Sequence, residues 1–214
     1  MRGVLLAGGR GTRMGDSTQV ANKHTLPVYD RPMIYFPVHT LRAMGCDDIL
    51  VITSPDAVGD LATLLPDCTF RVQPEPNGVA GALALAEGYV DGLFPVILGD
   101  NWFSVAPPMP DGPALFTFHH SNPERFGVLH NGVVYEKPAE PPSHRVVTGL
   151  YVFDSRAFDA IRGLTPSVRG ELEIADVNTW YLARGAQVVD VDGEWSDMGT
   201  PDSLLDVALA KAKR

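Results

Sequence analysis

The stretch "VLLAGGRGTRMG" at residues 4–15 joins a short apolar run to a loop that contains four glycines and two arginines. Its first four residues are typical of a strand that is buried on both faces in a parallel sheet. Glycines let the backbone turn tightly and bring its N–H groups close to a ligand. Arg10 and Arg13 add positive charge at the same place. We therefore predict an α/β fold whose first strand ends in an anion-binding loop.

The composition is that of an ordinary globular domain: 214 residues, 45% hydrophobic and 20% charged, with a net charge of −9. Such an acidic chain does not offer the broad cationic surface that nucleic acids require. Cys46 and Cys68 lack any metal-binding or paired spacing, as expected for the reduced thiols of a cytoplasmic protein. The first apolar run is too short for a signal peptide or a membrane span. We expect a cytoplasmic protein with no nucleic-acid partner and no membrane contact.

Strand and helix patterns alternate in the first half of the chain. Residues 3–8, 47–53, 69–73 and 94–101 have strand patterns, and helical patterns lie between them at 31–45, 55–65 and 78–90. Strands separated by helices imply parallel βαβ crossovers and a sheet covered on both faces.

The second half adds antiparallel signals. "FGVLHNGVVYEKP" places Asn131-Gly132 between two apolar runs, which predicts a hairpin. Further strands are predicted in "ALFTFHH", "VVTGLYVFD" and "AQVVDVD". Helices are predicted at about 155–163 and 171–184, and a closing helix begins at Pro201. The whole chain therefore reads as one α/β domain with a mixed, mostly parallel sheet flanked by helices.

Two common phosphate-binding motifs do not fit the glycine loop. A Walker A loop ends in G-K-[ST], whereas this loop continues as Thr12-Arg13. A Rossmann fingerprint needs a third glycine where Met14 stands.

The loop instead resembles the "LAGG-x-GTR" signature of the sugar-1-phosphate nucleotidyltransferases. In the same order follow segments similar to those of glucose-1-phosphate thymidylyltransferases: "NKHTLPVYDRPMIYFPVHTL", "QPEPNG", "VILGDN", "NPERFGVL", "EKP", "TGLYVFD", "RGELEIADVN" and "WSDMGT". The resemblance implies a Rossmann-like (GT-A-like) nucleotidyltransferase domain over residues 1–214. Its nucleotide-binding part would span about 1–105 and its sugar-phosphate-binding part about 106–214.

The resemblance also implies a reaction. A nucleoside triphosphate, with dTTP favoured, and a sugar 1-phosphate, with glucose 1-phosphate favoured, give a nucleotide sugar and pyrophosphate with the help of Mg²⁺. Two polyanions must meet, so the protein has to neutralise charge and align the reactants.

Residue roles follow by the same resemblance. Arg13, Lys23 and Lys137 are the expected catalytic cations, and Asp100 and Asp197 are the expected Mg²⁺ ligands. The nucleotide-binding set is Leu6, Ala7, Gly8, Gly9, Gly11, Thr12, Arg13, Gln73 and Gly78, of which the last two would read the pyrimidine edge. The sugar-phosphate set is Asp100, Gly127, Glu136, Lys137 and Val147. The histidines, including His24, have no metal-ligand spacing and are expected to be structural or surface residues.

Two alternatives stay open at this point. Gly81 stands where thymidylyltransferases commonly have a glutamine near the base, which leaves room for a UTP- or CTP-using transferase acting on another sugar 1-phosphate. A non-catalytic nucleotide-sugar sensor is the other alternative. The presence of all three cations and both aspartates weighs against it.

The chain also departs from longer members of the family. A proline-rich loop follows "GDN" where they have a helix, and the chain ends soon after "GTPDSLLDVALAKAKR". Longer members continue into helices that help form a tetramer and a second, regulatory nucleotide site. We therefore expect a monomer or small homo-oligomer without that site; inhibition by a dTDP-sugar away from the active site would contradict this.

Overall fold

The structure is a computed structural model that describes residues 1–9, 11–18 and 21–213. Arg10, one of the two loop arginines, lies outside these residues. The strands are β1 (Arg2–Ala7), β2 (Pro27–Val28), β3 (Arg31–Pro32), β4 (Asp48–Thr53), β5 (Thr69–Val72), β6 (Phe94–Leu98), β7 (Trp102–Phe103), β8 (Ala114–His119), β9 (Gly127–His130), β10 (Val133–Glu136), β11 (Arg145–Phe153), β12 (Gln187–Asp190) and β13 (Trp195–Ser196). The helices are α1 (Tyr35–Ala43), α2 (Val58–Leu64), α3 (Val79–Ala84), α4 (Arg156–Arg162), α5 (Ile174–Leu182) and α6 (Pro201–Ala212). In this described part of the chain, no helix is both long and apolar enough to cross a bilayer.

The first half of the chain forms the parallel part of the main sheet. β1 lies between β4 and β6, parallel to both, and β4 is parallel to β5. Residues alternate along β1, so that Val4 and Leu6 join one apolar cluster while Leu5 and Ala7 join another. The first cluster is completed by α3, α4 and α5, and the second by α1 and α2. The sheet is thus covered on both faces, as the continuous apolar strands predict.

The second half supplies the antiparallel part. β11 pairs antiparallel with β6, β8 and β9, and β12 lies parallel to β8. The β9–β10 hairpin turns at Asn131 and Gly132, both with positive φ (49° and 77°), as the Asn-Gly pair predicts. The mixed sheet is confirmed. The register of β11 against β8 shifts between Val147 and Tyr151, which places a bulge near the carboxyl end of β6.

A small second sheet brings the end of the chain next to the segment that follows β6. β13 pairs antiparallel with β7, with Trp195 opposite Phe103. A third apolar cluster, which includes Met33, Met198 and Val207, fixes α6 beside this pair. The segment after β13 is therefore held next to the segment after β6, although about half the chain separates them.

Several helices are shorter than the sequence predicts. The helix expected over 31–45 spans only Tyr35–Ala43, because Arg31–Pro32 form β3, and the helix expected over 55–65 spans Val58–Leu64. The helix expected over 78–90 ends at Ala84, and the backbone then turns so that the Arg71 guanidinium reaches the carbonyls of Leu85 and Glu87. The helix expected from residue 171 begins only at Ile174. The preceding residues pair with another segment instead: the N–H of Leu172 donates to the carbonyl of Asn77 at 2.8 Å.

Candidate active site

Two cavities adjoin at the carboxyl ends of β1 and β6, because they share Arg13, Asp100 and Lys137. The larger, about 300 Å³, is lined by the predicted residues Leu6, Gly8, Gly9, Arg13, Lys23, Gln73, Gly78, Asp100 and Lys137. The smaller, about 130 Å³, is lined by Arg13, Asp100, Gly127, Glu136, Lys137, Val147 and Asp197. Ala7, Gly11 and Thr12 belong to the same strand and loop, but they are not among the lining residues. The fold thus brings most of the predicted site residues to one place.

Lys23 lies against the glycine loop, and this contact explains two of the glycines. A β-carbon at Gly9 would stand 3.2 Å from Cε of Lys23, and one at Gly11 would stand 2.9 Å from its Cβ. Gly11 also has a φ of +69°, which side chains rarely adopt. The loop therefore makes room for the lysine side chain, in addition to offering backbone N–H groups to a ligand.

Lys23 and Asp100 form a buried ion pair on the cavity wall. Nζ of Lys23 lies 2.5 Å from Oδ2 of Asp100, and each side chain is 11% exposed. Burial by itself would raise the pKa of Asp100, but the Lys23 ammonium and the Asn101 amide outweigh it and hold the pKa below its ordinary value. The carboxylate is therefore ionised and available to a cation.

Asn101 is a functional residue that sequence reasoning missed. Its Nδ2 donates to Oδ1 of Asp100 at 3.0 Å, and its Oδ1 accepts from the backbone N–H of Gly149 at 3.0 Å and from the Trp195 indole at 2.7 Å. A buried amide that joins β6, the bulge of β11 and β13 fixes the orientation of the Asp100 carboxylate. The only signal in the sequence was its place in "VILGDN".

Asp197 is held by two arginines. One guanidinium nitrogen of Arg125 donates to both carboxylate oxygens, at 3.1 and 3.2 Å, and Arg13 approaches to 3.8 Å. The turn at Asp197 is anchored by Met198, which is fully buried although its φ is +37°. Arg125 was not predicted as a site residue, since nothing in "NPERFGVL" shows that its guanidinium turns toward residue 197.

Glu136 and Lys137 stand at the end of β10, beside a third arginine. Nζ of Lys137 lies 3.3 Å from Oε1 of Glu136, and Nη2 of Arg169 lies 3.5 Å from the same oxygen. Arg169 is itself tethered to Glu173 at 2.8 Å. Lys137 is 45% exposed and has a φ of +43°, so a strained backbone conformation presents its ammonium at the cavity.

His24 is buried and is one of the lining residues of the larger cavity, together with Lys23 and Asp100. The pKa of His24 is lowered to about 3, mainly by burial and also by the Lys23 ammonium, against the opposing effect of Asp100. The imidazole is therefore neutral, and its Nδ1 donates to Oδ1 of Asn22 at 2.7 Å. His24 therefore adds no charge to the site, and its structural role stays a prediction.

A glycine loop after β1, cations on several elements and two carboxylates at the carboxyl edge of an α/β sheet are the features that suit chemistry on phosphorylated substrates. The comparison with known families identifies that class more closely. Residues 2–214 match the family described as "Nucleotidyl transferase". The chain belongs to this family of enzymes.

Individual relatives agree with this placement. The chain is 40% identical over 235 residues to glucose-1-phosphate thymidylyltransferase of Neisseria meningitidis, covering 97% of this chain and 81% of the relative. It is 39% identical to the enzyme of the same name from Mycobacterium tuberculosis, with the same coverage.

Solved structures also share the fold. A chain from Bacillus anthracis, provisionally named a glucose-1-phosphate thymidylyltransferase and solved in complex with a sucrose, superposes with a TM-score of 0.90 at 40% identity, covering 98% of this chain and 94% of the other. A UDP-glucose pyrophosphorylase complexed with UDP-glucose has a TM-score of 0.82 at 21% identity, covering 99% of this chain and 98% of the other, which shows the common fold alone.

Proposed function

We propose that this chain transfers a thymidylyl group from dTTP to glucose 1-phosphate, giving dTDP-glucose and pyrophosphate. The observation that carries the proposal is the convergence of Lys23, Asp100, Asp197 and Lys137 on two adjoining cavities. Relatives at about 40% identity that are named for this reaction support the choice of substrates.

The two carboxylates suit a magnesium ion. Mg²⁺ prefers hard oxygen ligands and is commonly held by one or two carboxylates together with substrate phosphates and water. Asp100 and Asp197 both line the smaller cavity, and in the described part of the chain no group of three or more His, Cys, Asp and Glu residues competes for a metal. We assign these two aspartates as the Mg²⁺ ligands; when bound, the ion would neutralise charge on the triphosphate.

The reaction requires alignment and charge neutralisation from the protein. An oxygen of the sugar phosphate forms a bond to the α-phosphorus, and the bond from that phosphorus to the bridging oxygen breaks, so that pyrophosphate leaves with the electron pair. Arg13 and Lys23 would stabilise charge on the triphosphate, and Lys137 would hold the attacking phosphate. Glu136 would accept hydrogen bonds from sugar hydroxyls.

The arrangement of the cavities supports the prediction that about residues 1–105 bind the nucleotide and about residues 106–214 bind the sugar phosphate. The larger cavity is lined mainly by residues before 105 and suits the nucleotide, whereas the smaller is lined mainly by residues after 105 and suits the sugar phosphate. Gln73 and Gly78 would meet the base at the far end of the larger cavity.

The test measures pyrophosphate release from glucose 1-phosphate with dTTP, UTP, CTP, ATP and GTP in parallel, with and without Mg²⁺. We expect metal-dependent release that is fastest with dTTP. Lys137→Ala should reduce it on the order of 10²-fold, whereas Lys213→Ala, which removes an exposed lysine at the end of α6, should leave it unchanged.

Each outcome decides between the candidate functions. Release with UTP or CTP in preference to dTTP would keep the transferase and change the product. Nucleotide binding without release, with glucose 1-phosphate and with other sugar 1-phosphates, would overturn the proposal in favour of a sensor.

A further inference from the structure

Gln73 lies at the end of β5 and forms part of the larger cavity, where it is 9% exposed. A buried side-chain amide must satisfy both its donor and its acceptor, and a cavity ligand can meet only the end that faces it. The direction of this amide therefore decides which ligand groups it can recognise.

The donor end of Gln73 is turned toward Asn77, which is not among the lining residues of the cavity. Nε2 of Gln73 donates to Oδ1 of Asn77 at 2.7 Å and lies 3.4 Å from the carbonyl oxygen of Gly78. A backbone carbonyl can only accept, so both contacts fix the same orientation. Oε1 consequently faces Gly8, a residue that lines the cavity, where it stands 3.0 Å from the position of an added β-carbon.

Asn77 reaches Gln73 because Gly81 leaves space for it. A β-carbon at Gly81 would lie 2.0 Å from Oδ1 of Asn77 and 2.4 Å from its Cγ, which is far inside van der Waals contact. The backbone of Asn77 is itself fixed, since its carbonyl accepts from the N–H of Leu172 at 2.8 Å. From the sequence, Gly81 was notable only because the family commonly has a glutamine there, near the base. In the structure, the absence of a side chain at Gly81 leaves the space that Asn77 occupies.

We infer that Asn77 is a positioning residue that holds the Gln73 amide with its carbonyl oxygen toward the nucleotide base. This inference rests on the proposed function and specifies its substrate class. A fixed acceptor selects a pyrimidine whose ring nitrogen carries hydrogen, as in thymine and uracil. Cytosine presents an acceptor at that nitrogen, so two acceptors would face each other. The Asn77–Gly81 pair thus sets the preference of the site for an imide base.

The first experiment measures the dissociation constants of dTTP and dCTP by calorimetry, for the wild type and for Asn77→Ala and Asn77→Asp. In the wild type, the dissociation constant of dCTP should be at least about 10-fold larger than that of dTTP, because a 10-fold ratio corresponds to the free energy of roughly one hydrogen bond. Asn77→Ala should shrink that ratio about 10-fold, because Nε2 loses its principal acceptor. Asn77→Asp keeps an acceptor oxygen and should retain the discrimination.

The second experiment uses Gly81→Ala, whose methyl group must displace the Asn77 side chain. Gly81→Ala should reduce the discrimination between dTTP and dCTP as Asn77→Ala does. The double variant Asn77→Ala with Gly81→Ala should discriminate no less than either single variant. Gly59→Ala on α2 is the matched control, since an added β-carbon there meets nothing within 4 Å. If Asn77→Ala and Gly81→Ala melt at the same temperature as the wild type, their loss of discrimination reflects the orientation of Gln73 and not a general loss of structure.

The outcomes separate this inference from the proposed function. Equal binding of dTTP and dCTP to the wild type, absence of binding, or full discrimination in Asn77→Ala would overturn the inference. Binding that discriminates but yields no pyrophosphate would overturn the proposed function and leave the role of Asn77 supported.

Discussion

The two aspartates of the site have different surroundings. Asp100 is paired with Lys23 in the wall of the cavity. In contrast, one nitrogen of Arg125 donates to both carboxylate oxygens of Asp197, and Arg13 lies nearby. Each carboxylate therefore has a cation beside it before any ligand binds. A buried pair of this kind couples the catalytic role of a residue to the stability of the fold.

Asp100→Asn should reduce pyrophosphate release on the order of 10²-fold or more and also destabilise the protein by about 3–5 kcal/mol. The amide cannot offset the buried Lys23 ammonium, which lies 2.5 Å away in the wild type. Urea unfolding and the release assay measure the two effects.

Two further variants test the cause. Adding Lys23→Met to Asp100→Asn should restore part of the stability, because no charge is then left buried without a partner. Asp91→Asn, which changes an exposed loop aspartate, is the control. Near-normal release by Asp100→Asn would contradict its assignment as a metal ligand.

His24 should make the protein less stable in acid. The native imidazole stays neutral down to a pKa of about 3, whereas the unfolded chain takes up a proton below the ordinary value of 6.5. The unfolded state therefore binds more protons as the pH falls from 6.5, and the His24 contribution lost between pH 7 and pH 4.5 is about 2–3 kcal/mol.

The comparison of His24→Gln with the wild type isolates this contribution. The variant should lose less stability than the wild type between pH 7 and pH 4.5 in urea unfolding experiments. His39→Gln, at an exposed position on α1, should follow the wild-type curve. Parallel curves for His24→Gln and the wild type would show that the imidazole is not kept neutral by burial.

At the scale of elements, α6 shows how a local signal supports a distant site. Thr200 accepts a hydrogen bond from the N–H of Ser203, and the Ser203 hydroxyl accepts one from the N–H of Thr200. This capping box begins the helix three residues after Asp197, and Pro201 follows at the first helical position. The cap thus fixes the end of the turn that carries the carboxylate.

Thr200→Ala should lower the free energy of unfolding by about 1 kcal/mol, since it removes one half of the capping box. Chemical denaturation measures the change. Thr165→Ala, in the exposed loop after α4, should have little effect. An unchanged midpoint in Thr200→Ala would mean that packing of Val207 and Met198, rather than the cap, begins the helix.

Some element boundaries were predictable from local sequence patterns, and others were not. The Asn131-Gly132 turn and the apolar strands were predictable because turn geometry and burial act over a few residues. The start of α5 was not, because the backbone at Leu172 pairs with Asn77 instead of entering the helix. The sequence likewise gave no sign that Trp195 pairs across from Phe103.

On the scale of the whole molecule, a chain with a net charge of −9 concentrates several of its cations around one pair of cavities. The same two cavities are also lined by four carboxylates, those of Asp100, Glu136, Glu171 and Asp197, so a bound Mg²⁺ would supply the net positive charge that a polyanion needs. The oligomeric state, a monomer or small homo-oligomer, stays a prediction that light scattering after size exclusion can measure.

dTTP with Mg²⁺ should stabilise the protein by about 2.7 kcal/mol when the nucleotide is present at about 100 times its dissociation constant. Thymidine should have little effect, because the cations of the site recognise phosphate. Thermal unfolding measures both, and high salt should weaken the dTTP effect by screening. Equal shifts from dTTP and thymidine would contradict a phosphate-dominated site.

The sequence by itself determined the alternation of buried strands and helices, the hairpin, the resemblance to the nucleotidyltransferases and many of the residues that line the two cavities. These follow from patterns that act over a few residues or along one ordered series of motifs. Only the tertiary structure decided that Asn101 orients Asp100, that Arg125 holds Asp197 and that Asn77 turns Gln73. Each of these contacts depends on the side-chain orientations and exact separations that the packed fold imposes. Asn101 is held by contacts with residues 48 and 94 positions away along the chain, and Arg125 lies 72 positions from Asp197.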